Sequence, residues 1–198
     1  MHVVVILDQA HINGGQAKVA LDSAIGLAGR GHTVVLFAAS GPVAPELAAA
    51  GVEVVCLGQH EFVADPDRRA AALRGLWNRD AEKALDALLT RLPRGDTIVH
   101  LHGYAKALSA SVVAAVARSR HPVLYTMHEY YMLCPNGGFY NYRSHAHCTL
   151  KPLSAACWTT HCDTRNIGFK LWRNARGVIA DTLGRVPGTL TNIAHFHP

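Results

Sequence analysis

Val3-Val4-Val5-Ile6-Leu7-Asp8-Gln9-Ala10-His11-Ile12-Asn13-Gly14-Gly15-Gln16 stands at the head of the chain. Its opening is a short, continuous, β-branched apolar run. That reads as a strand buried on both faces, the pattern of a parallel sheet. Behind it, Gln16 to Gly29 carries Ala20, Leu21, Ala24, Ile25 and Ala28 at helical spacing, and Gly31 stops the helix. Strand, glycine turn and helix form the first half of a β-α-β unit.

The same alternation recurs along the chain. Strands are predicted at Thr33–Ala38, Val52–Leu57, Thr97–Leu101 and Val123–Met127. Helices are predicted at Pro45–Ala50, over Pro66–Leu92 with a break near Gly75, and over Ala105–Arg118. From His128 to His161 the alternation stops in a segment rich in Tyr, Cys, Gly, Pro and His. Asp163 is placed to cap a further helix running to about Ala180, and Thr191–His195 reads as a sixth strand. Repeated β-α units predict an α/β fold with a Rossmann-like, doubly wound parallel sheet. In such sheets ligands bind at the carboxyl ends of the strands.

The chain has 198 residues, of which 49% are apolar and 17% charged. This is a globular composition with material for a full core. The early apolar run is too short for a signal peptide or a membrane span. The expected compartment is the cytoplasm, with reduced thiols. A net charge of +5 suits anionic partners such as phosphates, nucleotides or a lipid surface. Aromatics interleaved with basic residues are too few to indicate nucleic acid.

Asn13, Gly14, Gly15 and Gln16 follow the first strand. Glycines there let a ligand approach the backbone, and the helix start offers unpaired N–H groups to an anion. A tight turn that binds nothing would be built the same way. The sequence is neither the dinucleotide fingerprint nor a P-loop. After strand four, His100 and His102 fall on one face, with Gly103 next. Strand five runs into His128-Glu129, so His102 and His128 are expected side by side at the ligand edge. Neutral imidazoles there can bond a sugar hydroxyl, a phosphate or a leaving group. Glu129 would orient His128 or meet substrate.

Cys134, Cys148, Cys157 and Cys162 lie close in sequence as C-x13-C-x8-C-x4-C. Four thiolates could enclose one structural Zn²⁺; an iron–sulfur cluster, free thiols and disulfides use the same residues. Arg165, Lys170, Arg173 and Arg176 lie on the following helix. They form either a solvated basic face or a peripheral contact with anionic lipid.

As a set these residues resemble the N-terminal domain of GT-B glycosyltransferases of family 4. The resemblance is carried by Asn13-Gly14-Gly15, by Arg30-Gly31-His32 closing the first helix, by His100-Leu101-His102-Gly103 and by Thr126-Met127-His128-Glu129-Tyr130. It continues in Cys134-Pro135-Asn136-Gly137-Gly138-Phe139-Tyr140, Pro152-Leu153-Ser154, His161-Cys162-Asp163 and Lys170-Leu171-Trp172-Arg173. It implies residues 1–198 as the acceptor-side half of a two-domain enzyme, with 129–163 as a cysteine-rich insertion. Such enzymes move a sugar from a nucleotide-sugar to a cell-envelope glycan or lipid-linked acceptor, with retention and without a catalytic metal. By motif match His128 faces the transferred sugar and helps align the reacting groups, and Gly14 and Gly15 lie near the donor phosphates; Asn13, Gln16, His102, Gly103, Glu129 and Asn136 are the further candidate contacts to substrate or phosphate. The family often has His-Asp where this chain has His128-Glu129. The donor-binding domain is expected outside these residues, so the isolated chain is expected to be nearly inactive. The alternative is a non-enzymatic glycan- or phosphate-binding module or a partner-interaction module. A nucleotide-dependent oxidoreductase is disfavoured by the absent fingerprint.

Overall fold

The structure, a computed structural model, describes residues 1–183. They fall into two compact units, Met1–His128 and a second from Glu129 onward. The expected strand at Thr191–His195 lies outside the described residues.

The first unit is a five-stranded parallel sheet flanked by helices. Its strands are β1 (His2–Gln9), β2 (Thr33–Ser40), β3 (Glu53–Cys56), β4 (Thr97–Leu101) and β5 (Val123–Tyr125). Their spatial order is β3-β2-β1-β4-β5. The helices are α1 (Gly15–Ala28), α2 (Pro45–Ala49), α3 (Arg68–Leu76), α4 (Arg79–Thr90) and α5 (Ser111–Ser119). β1 is central and buried on both faces from Val3 to Gln9. Val3, Val5 and Leu7 join Ala17, Ala20, Leu21 and Ala24 of α1 in one core cluster with Leu36 and Leu47. This confirms the expected Rossmann-like class.

The strand order fixes where a ligand can sit. The chain winds outward from β1 to β3, then returns to the other side of β1 as β4. The neighbouring carboxyl ends of β1 and β4 therefore form a topological switch point, where no connection crosses the crevice. Ile6 pairs with Leu101 there, and His102 N–H donates to the Ile6 carbonyl at 2.9 Å.

Three boundaries differ from the expected ones for identifiable reasons. The long helical stretch breaks at Trp77–Asn78, not at Gly75, because the Asn78 side chain accepts from Ala81 N–H and caps α4. α5 starts at Ser111 and not at Ala105. The N–H groups of Lys106, Ala107 and Leu108 donate to the Asp8 carboxylate, which holds that segment as a non-helical wrap. In the second unit the last helix begins at Ile167, capped by Asn166, whose side chain accepts from Phe169 N–H. Asp163 instead accepts from Arg165 N–H upstream of it.

The second unit contains a short antiparallel pair, β6 (Tyr140–Asn141) and β7 (Ala146–His147), then α6 (Ala155–Thr159) and α7 (Ile167–Leu183). Among the described residues no helix is long and apolar enough to cross a membrane.

Candidate functional site

The site is built on the β1/β4 fork. Behind β1, Gly14 and Gly15 are exposed, and a Cβ placed on either would meet nothing within 4 Å. α1 starts at Gly15 with no side-chain cap and no acidic residue in its first turn. Its free N–H groups and the positive end of its dipole therefore face open space. Asn13 Nδ2 donates to Glu61 Oε1 at 3.2 Å, and Gln9 Nε2 donates to the same oxygen at 2.6 Å. Glu61 thus fastens the glycine turn to the end of β1. Nothing in the sequence marked it, because it comes from the loop after β3.

Gln16 crosses the fork. Its Nε2 donates to the His102 carbonyl at 2.9 Å. The carboxamide lies where a side chain on Gly103 would have to go. Only glycine leaves that path open, so Gly103 is explained by this close approach. Gly103→Ala is expected to push Gln16 aside and cost about 1 kcal/mol, the worth of one hydrogen bond. In a Gln16→Ala background the same change should cost clearly less, which urea denaturation of the four proteins checks.

Three imidazoles meet at the β4 side. The rings of His100 and His102 lie 4.0 Å apart, as their shared face predicted, and those of His102 and His128 are stacked at 5.3 Å. His102 Nδ1 and His128 Nε2 are 3.0 Å apart and share a hydrogen bond. His100 Nε2 bonds Thr126 Oγ1 at 2.8 Å. The expected meeting of His102 and His128 is therefore realised, and the bond that orients His128 comes from His102. Burial is the first cause that holds all three below the ordinary imidazole range. It takes His102 to about 3, with the neighbouring imidazoles adding to the effect, and His100 to about 4, with His128 adding. For His128 burial alone acts. The trio is neutral at pH 7.

Glu129 and Asn136 belong to the second unit. Asn136, expected at a substrate, is buried and spends its carboxamide on the protein. Its Nδ2 donates to the Cys162 carbonyl at 3.1 Å, and its Oδ1 accepts from Arg173 at 2.7 Å. Gly137 adopts a positive φ of 78°, with the Tyr131 ring against the place of a Cβ.

The basic stripe of α7 needs correction. Lys170 is 1% exposed, and its Nζ donates to Cys157 Sγ at 3.5 Å. Arg173 pairs with buried Asp163 at 3.1 Å. These two cations turn inward and are not offered to a lipid surface, because a carboxylate and a thiol of the same unit hold them. Arg165 and Arg176 remain at the periphery, stacked on Phe169 at 4.6 Å and on Trp172 at 4.7 Å.

Cys134, Cys157 and Cys162 are buried and Cys148 is half-buried, all as free thiols. Among the described residues no three His, Cys, Asp or Glu side chains are grouped to hold a metal ion. Cys134, Cys157 and Cys162 lie in the unit's interior, where Cys157 and Cys162 receive N–H groups from Lys170 and Asn136.

Comparison with curated proteins and with solved structures gives no significant match. The family profile described as a glycosyl transferase 4-like domain matches residues 14–182, a span from the glycine turn through the histidines and the cysteine-rich unit to the end of α7, and the chain belongs to that family.

Proposed function

We propose that this domain is the acceptor-side part of a retaining glycosyltransferase. It would help move a sugar from a nucleotide-sugar to a cell-envelope glycan or lipid-linked acceptor, on the cytoplasmic face of the membrane when the acceptor is lipid-linked. Membership of the family makes a sugar donor and an acceptor the general partners. The finer reading rests chiefly on one observation. An uncapped, acid-free helix start and a half-buried neutral histidine stand on the two sides of the sheet's switch point.

Each part has a task in glycosyl transfer. Negative charge grows on the leaving phosphate as the glycosidic bond breaks. Free N–H groups at Gly14, Gly15 and the first turn of α1 would stabilise it without reorganising. His128 would bond a hydroxyl of the transferred sugar and fix its orientation. A neutral imidazole does this without placing a second cation beside the oxocarbenium-like centre. Gln16 holds the two sides of the fork in register, and Glu61 ties the glycine turn to the end of β1.

The test uses the protein as its source cells make it. His128→Ala in the chromosomal gene should leave the protein level unchanged, remove one class of surface glycan and accumulate its unmodified acceptor. Unchanged glycans and lipid-linked sugars at normal protein levels would rule this reading out. Acceptor binding that survives in a wild-type protein without any transfer would indicate a binding module instead.

A further inference from the structure

The trio of histidines is more constrained than a set of ring contacts. A neutral imidazole owns one N–H and one lone pair. The 3.0 Å bond between His102 Nδ1 and His128 Nε2 can hold a single proton. If that proton is on His102, then His128 must carry its own on Nδ1. If it is on His128 Nε2, then His102 must carry its own on Nε2. The two rings thus share one tautomer, both Nδ1–H or both Nε2–H.

His102 has no second bond with which to escape this coupling. It is 1% exposed, and its Nε2 is buried without a partner among the described residues. Rotation of its ring is hindered by the His100 ring, tilted against it with centroids 4.0 Å apart, and its backbone is pinned by Gln16 on the carbonyl and by Ile6 on the N–H. His128 is half-buried, and its Nδ1 makes no bond among the described residues.

We propose that His102 is a positioning residue that commits Nε2 of His128 to the protein and leaves Nδ1 as the ring nitrogen that meets a ligand. The sugar hydroxyl named above would meet that atom; only this last step rests on the proposed function. The geometry between the two rings stands by itself. His102 touches no substrate. It selects which nitrogen of its neighbour is presented and ties that nitrogen's choice to donate or accept to its own tautomer. A histidine free at both nitrogens would lose part of its binding energy in choosing.

The experiment is long-range ¹H–¹⁵N spectroscopy of the imidazoles in the purified chain at pH 7, without any ligand. His102 and His128 should show the same neutral tautomer, each as a single species. His102→Phe keeps a flat ring of similar size and removes the bond. In that variant His128 should become a tautomer mixture. One ring as Nδ1–H and the other as Nε2–H in the wild type would overturn the proposal. So would an unchanged His128 spectrum in a folded His102→Phe protein. Should that variant fail to fold, the wild-type spectrum alone decides. Matched tautomers in a protein whose His128→Ala variant leaves cell glycans intact would reject the proposed function and keep the coupling.

Discussion

Lowering the pH from 7 to 5 should remove about 4 kcal/mol of stability from the Met1–His128 unit. The cause is the buried pair His100 and His102. In the folded unit they take up protons only near pH 4 and pH 3, whereas an unfolded histidine does so near 6.5. The unfolded chain therefore binds more protons throughout the interval between these values. Stability must rise with pH across that window and fall as the solution is acidified. The effect is absent well above about 6.5 and grows on going down toward the folded values. At pH 5 each unfolded histidine has gained about 2 kcal/mol over its folded counterpart, since one pH unit is worth about 1.4 kcal/mol. Two such groups make about 4 kcal/mol, a large share of the roughly 5–15 kcal/mol that holds a domain together. His128 pulls in the same direction, because its burial also disfavours the charged form. Urea denaturation at pH 7, 6 and 5 measures the slope. Replacing His102 by Gln should remove about half of it, although the variant starts from lower stability at pH 7. A midpoint that does not move between pH 7 and pH 5 would show that the trio is not dry.

Much of this could be read from the sequence where local chemistry decides. β1 is apolar on both faces, so a five-residue run sufficed to place a central parallel strand. His100 and His102 two residues apart on a strand had to share a face, and the structure brings their rings within 4.0 Å of one another. What could not be read depends on partners distant in the chain. Ala105 to Ala110 has helical composition, yet it is not helical, because a carboxylate almost a hundred residues earlier takes its N–H groups. Glu61 gives no local signal; it matters only because Gln9 and Asn13 fold back onto it. Lys170 looked like part of a solvated stripe. A charged side chain is a poor guide to orientation when its helix buries Lys170 and Asn174 on one inward face. In each case the missing information is a tertiary contact that overrides propensity.

Asp8→Ala is expected to cost on the order of 4–6 kcal/mol and to leave the first unit at the edge of folding. Asp8 is the last acidic group before the glycine turn and is 1% exposed at the end of β1. Its Oδ1 accepts from Ala107 N–H at 2.7 Å and from Leu108 N–H at 2.9 Å, and Oδ2 accepts from Lys106 N–H at 3.1 Å. Alanine removes both acceptor oxygens and strands three donors that the surrounding protein shields from water. Each bond to a charged acceptor contributes about 1.5–3 kcal/mol, and a stranded buried donor costs a similar amount. The freed segment has an alternative, since Ala105–Ala110 is rich in good helix formers. The variant would let α5 grow backwards over them, drawing the wrap away from β1 and with it the backbone just after Gly103. Asp8→Asn separates this from a mere loss of charge. Its carboxamide oxygen can still take Ala107 and Leu108, while its NH₂ opposes only Lys106 N–H. It should therefore cost about 2 kcal/mol, a third to a half of the alanine value. Urea denaturation gives both costs, and a rise in far-ultraviolet helix signal for Asp8→Ala tests the regrown turn. A cost below about 1 kcal/mol for alanine would mean that water reaches these N–H groups and that the wrap holds without the carboxylate. The large cost, with asparagine between, would mean that one buried side chain sets where α5 begins and so shapes the β4 side of the fork that carries His102.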